Sequence, residues 1–290
     1  MFCTVFTPTY NRGYLLERLY QSLKKQTITD FEWIIVDDGS TDDTEKIVAK
    51  WLNDKSNFPI YYYKKENGGK HTAINYGIKH AKGKMFFIVD SDDYLTSNAI
   101  EDIFECEKTI ADLEKFAGIS CCKYYENDAL IGTFPNKKYI DATNLERKKY
   151  NLNGDKAEVY YTKVLKKYKF PEYKGEKFLS ECIVWNKIAH DGFKIRWFPN
   201  KIYVCDYIED GLTQNIDKHI ENSPKGYLTL IQQEIAFKNV TIKEKYGFYA
   251  KYAKILQKTK SLKEISRDLK ISFLKLKIIL LLERCYRKFK

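Results

Sequence analysis

Three carboxylates, Asp90, Asp92 and Asp93, fall within four residues where the apolar run MFFIV (85–89) gives way to DSDDYL. Like charges so close repel, and a bound cation is the natural compensation. A D-x-D pair just past a strand suits magnesium or manganese, which prefer oxygen ligands and are usually held by one or two carboxylates plus substrate phosphates. The competing reading is a helix N-cap by Asp92, Asp93 or Ser97, and an isolated D-x-D would favour it. A calcium loop is excluded. With Asp90 at its first position Glu101 falls at the twelfth, but Tyr94 and Leu95 stand where a ligand and a glycine are required. An aspartyl-nucleophile phosphatase fits poorly, because the first strand ends in TPTYN, which offers no carboxylate.

The elements that must position these acids alternate between strand and helix. Residues 3–7 (CTVFT) form a β-type run, residues 14–25 put Leu15, Leu16, Leu19, Tyr20 and Leu23 on one helical face, and residues 33–36 (WIIV) read as a buried strand. Ser40 or Thr41 can cap a helix reaching about residue 52; a strand over 60–63, a helix over 71–81 and a strand over 85–89 follow. This alternation predicts an α/β fold with a mainly parallel sheet and helices on both faces. Ligands of open α/β sheets bind outside the carboxyl ends of the strands. Three of these four strands end in polar clusters, TPTYNR, DDGSTDD and DSDDYL, which should meet at one rim. Further along, the pattern predicts helices over 97–108, 157–166, 178–189 and 224–237, and strands over 116–125, 194–197 and 202–205.

The net charge of +11 is a property of the tail. Residues 241–290 hold fifteen Lys and Arg against four Asp and Glu, which leaves 35 of each sign in the first 240. Nucleic-acid binding would call for a basic face on the folded module, whereas a basic tail on a neutral body points to an anionic surface that the tail visits. Residues 271–282 (ISFLKLKIILLL), set among lysines and arginines, resemble a helix lying on anionic lipid; the alternatives are packing on the domain or at a dimer interface. The seven scattered cysteines include no CxxC pair and read as reduced core thiols. No stretch is long and apolar enough to span a bilayer, and the N-terminus does not read as a signal peptide, so a cytoplasmic, peripheral location is expected.

The succession TPTYNR (7–12), FEWIIVDDGSTDDT (31–44), ENGGKHTAINYGIKHAKG (66–83) and FFIVDSDDYL (86–95) closely resembles the inverting family 2 glycosyltransferases of the GT-A fold, densely to about residue 100 and more thinly to about 215. Each motif is weak alone, but four in this order and spacing are specific. The resemblance implies that Pro8, Thr9, Tyr10 and Asn11 line a nucleotide base and that Asp38 accepts a hydrogen bond from a uracil-type base. It implies that Lys70, behind Gly68 and Gly69, meets a phosphate or the sugar. Asp90, Ser91 and Asp92 become the D-x-D that holds Mn2+ or Mg2+ against the donor pyrophosphate, with Asp92 the direct ligand. Glu181, in GEKFLSECIVWNKI, is similar in position to the family's general base, although the usual adjacent acidic pair is here Ser180-Glu181. Asp210 resembles a residue near the acceptor site, and Asp155 is a further candidate base.

These matches imply a GT-A domain over 1–220, with a nucleotide-sugar half (1–100) and an acceptor half (101–220), followed by a basic amphipathic helical extension over 221–290. The implied activity is metal-dependent transfer of a sugar from a UDP-type donor to a glycan or lipid-linked saccharide in bacterial surface-polysaccharide synthesis, at the inner face of the cell membrane. Two alternatives stay open. A sugar-phosphate nucleotidyltransferase should show a glycine-rich basic loop after the first strand, which TPTYNR lacks; a catalytically silent sugar-binding protein would lose the metal ligands or the base.

Overall fold

Burial on both faces dictates the first sheet. The computed structural model describes residues 1–205, 216–238 and 240–288. It runs β1 (Cys3–Thr9), α1 (Gly13–Lys24), β2 (Phe31–Asp37), α2 (Thr44–Asn53), β3 (Ile60–Lys64), α3 (Lys70–His80) and β4 (Met85–Ile88). Every residue of β1 and β2 is buried, as expected of parallel strands covered by helices on both sides. The four strands pair in parallel in the spatial order β3-β2-β1-β4. The chain thus winds outward from β1 to β3 and returns to the other side of β1. That reversal makes a topological switch point between β1 and β4, where open sheets bind ligands.

Aromatic packing fixes the helices on this sheet. Trp33 of β2 stacks with Tyr20 of α1 and Trp51 of α2 at centroid distances of 6.0 and 5.6 Å. Phe6 of β1 stacks on Phe86 of β4 at 5.2 Å, and α3 comes so close that a Cβ at Gly77 would lie 2.2 Å from the Phe6 ring. The start of α2 differs from expectation. Ser40 and Thr41 do not cap it; the helix begins at Thr44, whose N–H is taken by Asp42 at 3.1 Å, because the Ser40 hydroxyl is engaged by the loop after β1.

The sheet continues with β5 (Tyr94–Leu95), α4 (Ala99–Lys108), β6 (Phe116–Tyr125), β7 (Ile140–Ala142), β8 (Lys156–Tyr161), α5 (Thr162–Leu165), α6 (Cys182–His190) and β9 (Lys194–Cys205). Here it is mixed: β8 lies antiparallel between β4 and β6, β9 runs parallel to β6, and β5 and β7 pair antiparallel with β9. The helix expected over 157–166 is strand β8 followed by the short α5. Val159, Tyr160 and Tyr161 are strand formers, and open ladders on both sides outweigh the helix propensity of the neighbouring Lys, Ala and Glu. The two strands expected over 194–205 are one. Pro199 is accommodated where the β6–β9 register shifts between Ser120 and Cys122, a break in the ladder that removes the need for its N–H.

The chain divides into two compact units, Met1–Phe170 with Val184–Glu209, and Pro171–Ile183 with Asp210–Lys290. In the second, α7 (Ile216–Asn222), α8 (Pro224–Phe237), α9 (Ile242–Leu256), α10 (Leu262–Asp268) and α11 (Phe273–Lys288) surround a core that includes Ile231, Tyr252, Leu256, Ile265, Leu276 and Ile279. Capping boxes of Thr241 with Glu244 and Ser261 with Glu264 start α9 and α10. No described helix is long and apolar enough to cross a membrane. Gly77→Ala forces its methyl into the Phe6 ring and is expected to cost about 1–3 kcal/mol. A lowered urea midpoint with unchanged slope checks this; an unchanged midpoint contradicts the close approach of α3 to β1.

Candidate active site

The loops after β1 and β2 are laced together at the switch point. Asp38 N–H donates to the Thr9 carbonyl at 2.9 Å, Asn11 N–H to Ser40 Oγ at 2.8 Å, and Thr41 N–H to Asn11 Oδ1 at 2.8 Å. Asn11 holds φ at 53°, a left-handed conformation that asparagine tolerates, so its amide serves the loop. Pro8 and Thr9 end β1; Thr9 is buried, and its Oγ1 has no partner among the described residues. Tyr10, just beyond, is exposed.

Asp38 is buried beneath the next loop. Its Oδ1 accepts Lys65 Nζ at 2.7 Å and Gly68 N–H at 3.0 Å, and its Oδ2 accepts Gly69 N–H at 2.6 Å. Gly69, at φ 94°, turns the chain into α3, whose first residue is Lys70. One carboxylate therefore anchors the loop that delivers Lys70.

The acids after β4 are each engaged. Lys70 Nζ lies 2.7 Å from Asp90 Oδ1, and Arg12 Nη1 lies 2.8 Å from Asp92 Oδ2. The Tyr203 hydroxyl of β9 accepts Asp90 N–H at 2.9 Å and donates to Asp93 Oδ2 at 2.7 Å. Behind Tyr203 stands buried Lys123 of β6, its Nζ 4.2 Å from the tyrosine ring centroid and 2.8 Å from Asp155 Oδ2. Ser91 is buried among these groups. The capping reading fails, because α4 starts at Ala99 with Asn98 at its N-cap.

Electrostatics separate the three acids. Burial pushes the Asp90 carboxyl up, but Lys70 and Lys123 overcome this and hold it below its ordinary value. Burial and the Asp90 charge raise Asp92 despite Arg12, and they raise Asp93 to about 7. Lys123 remains a firm cation: burial opposes its charge, yet Asp155, Asp90 and Asp93 lift it well above the ordinary lysine value. The protein's own cations thus relieve much of the repulsion that pointed to a metal. No cluster of three or more His, Cys, Asp or Glu forms a ready-made metal site among the described residues. The remaining donor set, Asp90 and Asp92, nevertheless fits magnesium or manganese, which complete their coordination with water and substrate phosphates.

The candidate bases fare differently. Glu181 is partly buried immediately before α6, in the second unit. Asp155 is bound by Lys123, which outweighs burial and holds its carboxyl below the ordinary value, making it a weaker base. Asp210 lies outside the described residues. Sequence reasoning missed Arg12, Lys65, Lys123 and Tyr203. Only Lys123, a lone lysine in the run FAGISCCKYY, carried a local signal.

Comparison with known proteins agrees with this architecture. The sequence model described as Glycosyl transferase family 2 matches residues 4–163, just over half of the chain. A Campylobacter jejuni GalNAc(5)-diNAcBac-PP-undecaprenol beta-1,3-glucosyltransferase is 25% identical over 272 residues, covering 89% of this chain and 85% of that protein. Glycosyltransferase GlyG of Streptococcus pneumoniae is 34% identical over 131 residues, 45% of this chain and 42% of GlyG. The poly(ribitol-phosphate) beta-N-acetylglucosaminyltransferase TarS of Staphylococcus aureus is 39% identical over 101 residues, 34% of this chain and 18% of TarS. The matches to GlyG and TarS thus span less than half of those proteins. The structure of TarS 1–349 in complex with UDP-GlcNAc superposes with a TM-score of 0.64 at 19% identity, covering 100% of this chain and 93% of that one, and the shared fold is GT-A. A Pyrobaculum calidifontis mannosyltransferase in complex with GDP-Man and Mn2+ gives 0.59 at 18% identity, over 88% of this chain and 72% of that one.

Tyr203→Phe is expected to remove the donor to Asp93 and the acceptor for Asp90 N–H, costing about 1–3 kcal/mol. The sign with pH follows from Asp93, which titrates near 7 when folded against 3.8 unfolded. The folded chain holds the extra proton between these values, so this group's contribution to stability is lost as pH rises through about 7. Tyr203 favours the ionised form and limits that loss. Denaturation at pH 5.5 and pH 8 should therefore show the larger penalty at pH 8; an equal penalty would mean that the hydroxyl does not serve Asp93.

Proposed function

The chain belongs to glycosyl transferase family 2, and from that we propose that it is an inverting enzyme transferring a sugar from a UDP-type nucleotide donor to a hydroxyl of a glycan or lipid-linked saccharide. The observation that carries this is the convergence of Asp90, Asp92, Lys70 and the Tyr10 loop at the β1–β4 switch point. Tyr10, with Pro8 and Thr9, offers a surface for the base. A carboxylate presents about four lone-pair sites. Among the described residues three at Asp38 are used, and the fourth, on Oδ2, is the one we assign to the imide N–H of a uracil. Asn11 acts by holding the loop, and Ser91 by filling the space beneath the D-x-D.

In the reaction the acceptor oxygen bonds to the anomeric carbon as the bond from that carbon to the diphosphate oxygen breaks, and nucleoside diphosphate leaves. Glu181 takes the acceptor proton, with Asp210 the alternative base. Lys70 meets the negative charge that grows on the departing diphosphate. A bound Mn2+ or Mg2+, held by Asp92 with Asp90, would supply further charge neutralisation there. One displacement inverts the anomeric configuration. The relatives' names, one with an undecaprenol-linked and one with a poly(ribitol-phosphate) acceptor, support a lipid-linked or polymeric acceptor; the role we assign is surface-polysaccharide assembly at the inner face of the membrane.

The test is a thermal-shift screen of UDP-sugars with and without Mn2+, followed by UDP release. A matching donor at 100 times its Kd stabilises the folded state by about 2.7 kcal/mol. Asp92→Ala should abolish the metal-dependent shift. Glu181→Gln should keep the shift and lower acceptor-dependent UDP release about 10²–10⁴-fold. If no UDP-sugar shifts the melt, the donor assignment is wrong; if Glu181→Gln retains full release, the base lies elsewhere.

A further inference from the structure

Helix α11 has two apolar faces, and among the described residues only one is packed. Leu276 and Ile279 are buried in the helical core of the second unit, and Glu283 on the same side pairs with Lys254 of α9. On the opposite side Leu274, Ile278, Leu281 and Leu282 are 67, 47, 59 and 56% exposed. Their spacing of i, i+4, i+7 and i+8 is that of a single stripe along a helix. Lys275 borders the stripe on one edge; Lys277 and Arg284, seven residues apart, border it on the other, and all three are exposed. The sequence run ISFLKLKIILLL merges these faces, and only the packing of α11 separates them.

We propose that this outer stripe is a membrane-docking surface whose occupant is an anionic lipid bilayer, with the four leucine and isoleucine side chains entering the acyl boundary and Lys275, Lys277 and Arg284 meeting the headgroups. Charge complementarity selects this occupant. Cations on both edges, in a segment that carries the chain's whole net charge of +11, match a negatively charged plane. A second copy of the chain would bring the same cations against themselves. The surface specifies how an enzyme with a lipid-linked acceptor reaches its substrate, and so rests on that part of the proposed function.

The test uses the full chain with vesicles of phosphatidylcholine alone and of phosphatidylcholine with phosphatidylglycerol at a 7:3 ratio, in 100 mM NaCl. Sedimentation should be at least about tenfold stronger with the anionic vesicles. Ile278→Asp with Leu282→Asp should abolish it, and Lys275→Gln, Lys277→Gln and Arg284→Gln together should reduce it to the neutral-vesicle level. Circular dichroism should report unchanged helix, since all these side chains are exposed. Hydrogen exchange on the unmodified chain gives a readout independent of the variants: residues 273–285 should gain protection when anionic vesicles are added. Absence of sedimentation, undiminished sedimentation of the aspartate variant, or no added protection overturns the proposal. So does a dimer, seen by sedimentation velocity, that dissociates on the aspartate substitutions, because the stripe would then be covered by a second copy. UDP release measured without vesicles separates the two readings, since its failure counts against the transferase and leaves the surface standing.

Discussion

Negative charge is crowded at the end of β4, and the surrounding structure answers it from separate parts of the chain. Asp90, Asp92, Asp93 and Asp155 draw Arg12 from the loop after β1, Lys70 from the start of α3, Lys123 from β6 and the Tyr203 hydroxyl from β9. Removing a partner from such a cluster leaves a desolvated charge exposed to its neighbours, which is costlier than losing a surface pair. The arrangement also sorts the acids. Asp90 is held below its ordinary value by two lysines, Asp93 is buried against Tyr203, and Asp92, less exposed than Asp90, has Arg12 as its counterion.

The mixed half of the sheet takes on meaning in this light. β6 and β9 sit far from β1 in sequence, yet they bring Lys123 and Tyr203 beneath the acids. The unbroken course of β9 through Pro199 places Val204 opposite Tyr94 and Tyr203 opposite Leu95. The loop carrying the acids is therefore tied down at both ends, by β4 on one side and by the β5–β9 ladder on the other. Such fixation preorganises the charges around the acids.

A similar economy governs the loop before α3. Asp38 fixes Gly68 and Gly69 with one carboxylate and retains an acceptor position. Lys65 and the loop that delivers Lys70 are thereby held by neighbouring atoms of one side chain. In the second unit a single helix likewise serves two ends, packing through Leu276 and Ile279 and presenting an apolar stripe on its other face.

Local pattern determined the first four strands and three helices to within a few residues, together with the rim where TPTYN, VDDGS and DSDD meet, because strands buried on both faces and amphipathic helices write their periods directly into sequence. The acids were legible as a cluster for the same reason: they are neighbours in the chain. Their partners were not, since Arg12, Lys123 and Tyr203 lie some 80, 30 and 110 residues away, and no local rule pairs positions so distant. Strand β8 was misread as helix because its ladders, not its propensities, decide its state. The two faces of α11 were inseparable for a related reason, as burial is assigned by what packs against a helix. Sequence alone determined which chemical groups gather at the rim; tertiary structure decided which of them is neutralised, buried or left open, because those properties belong to neighbours in space.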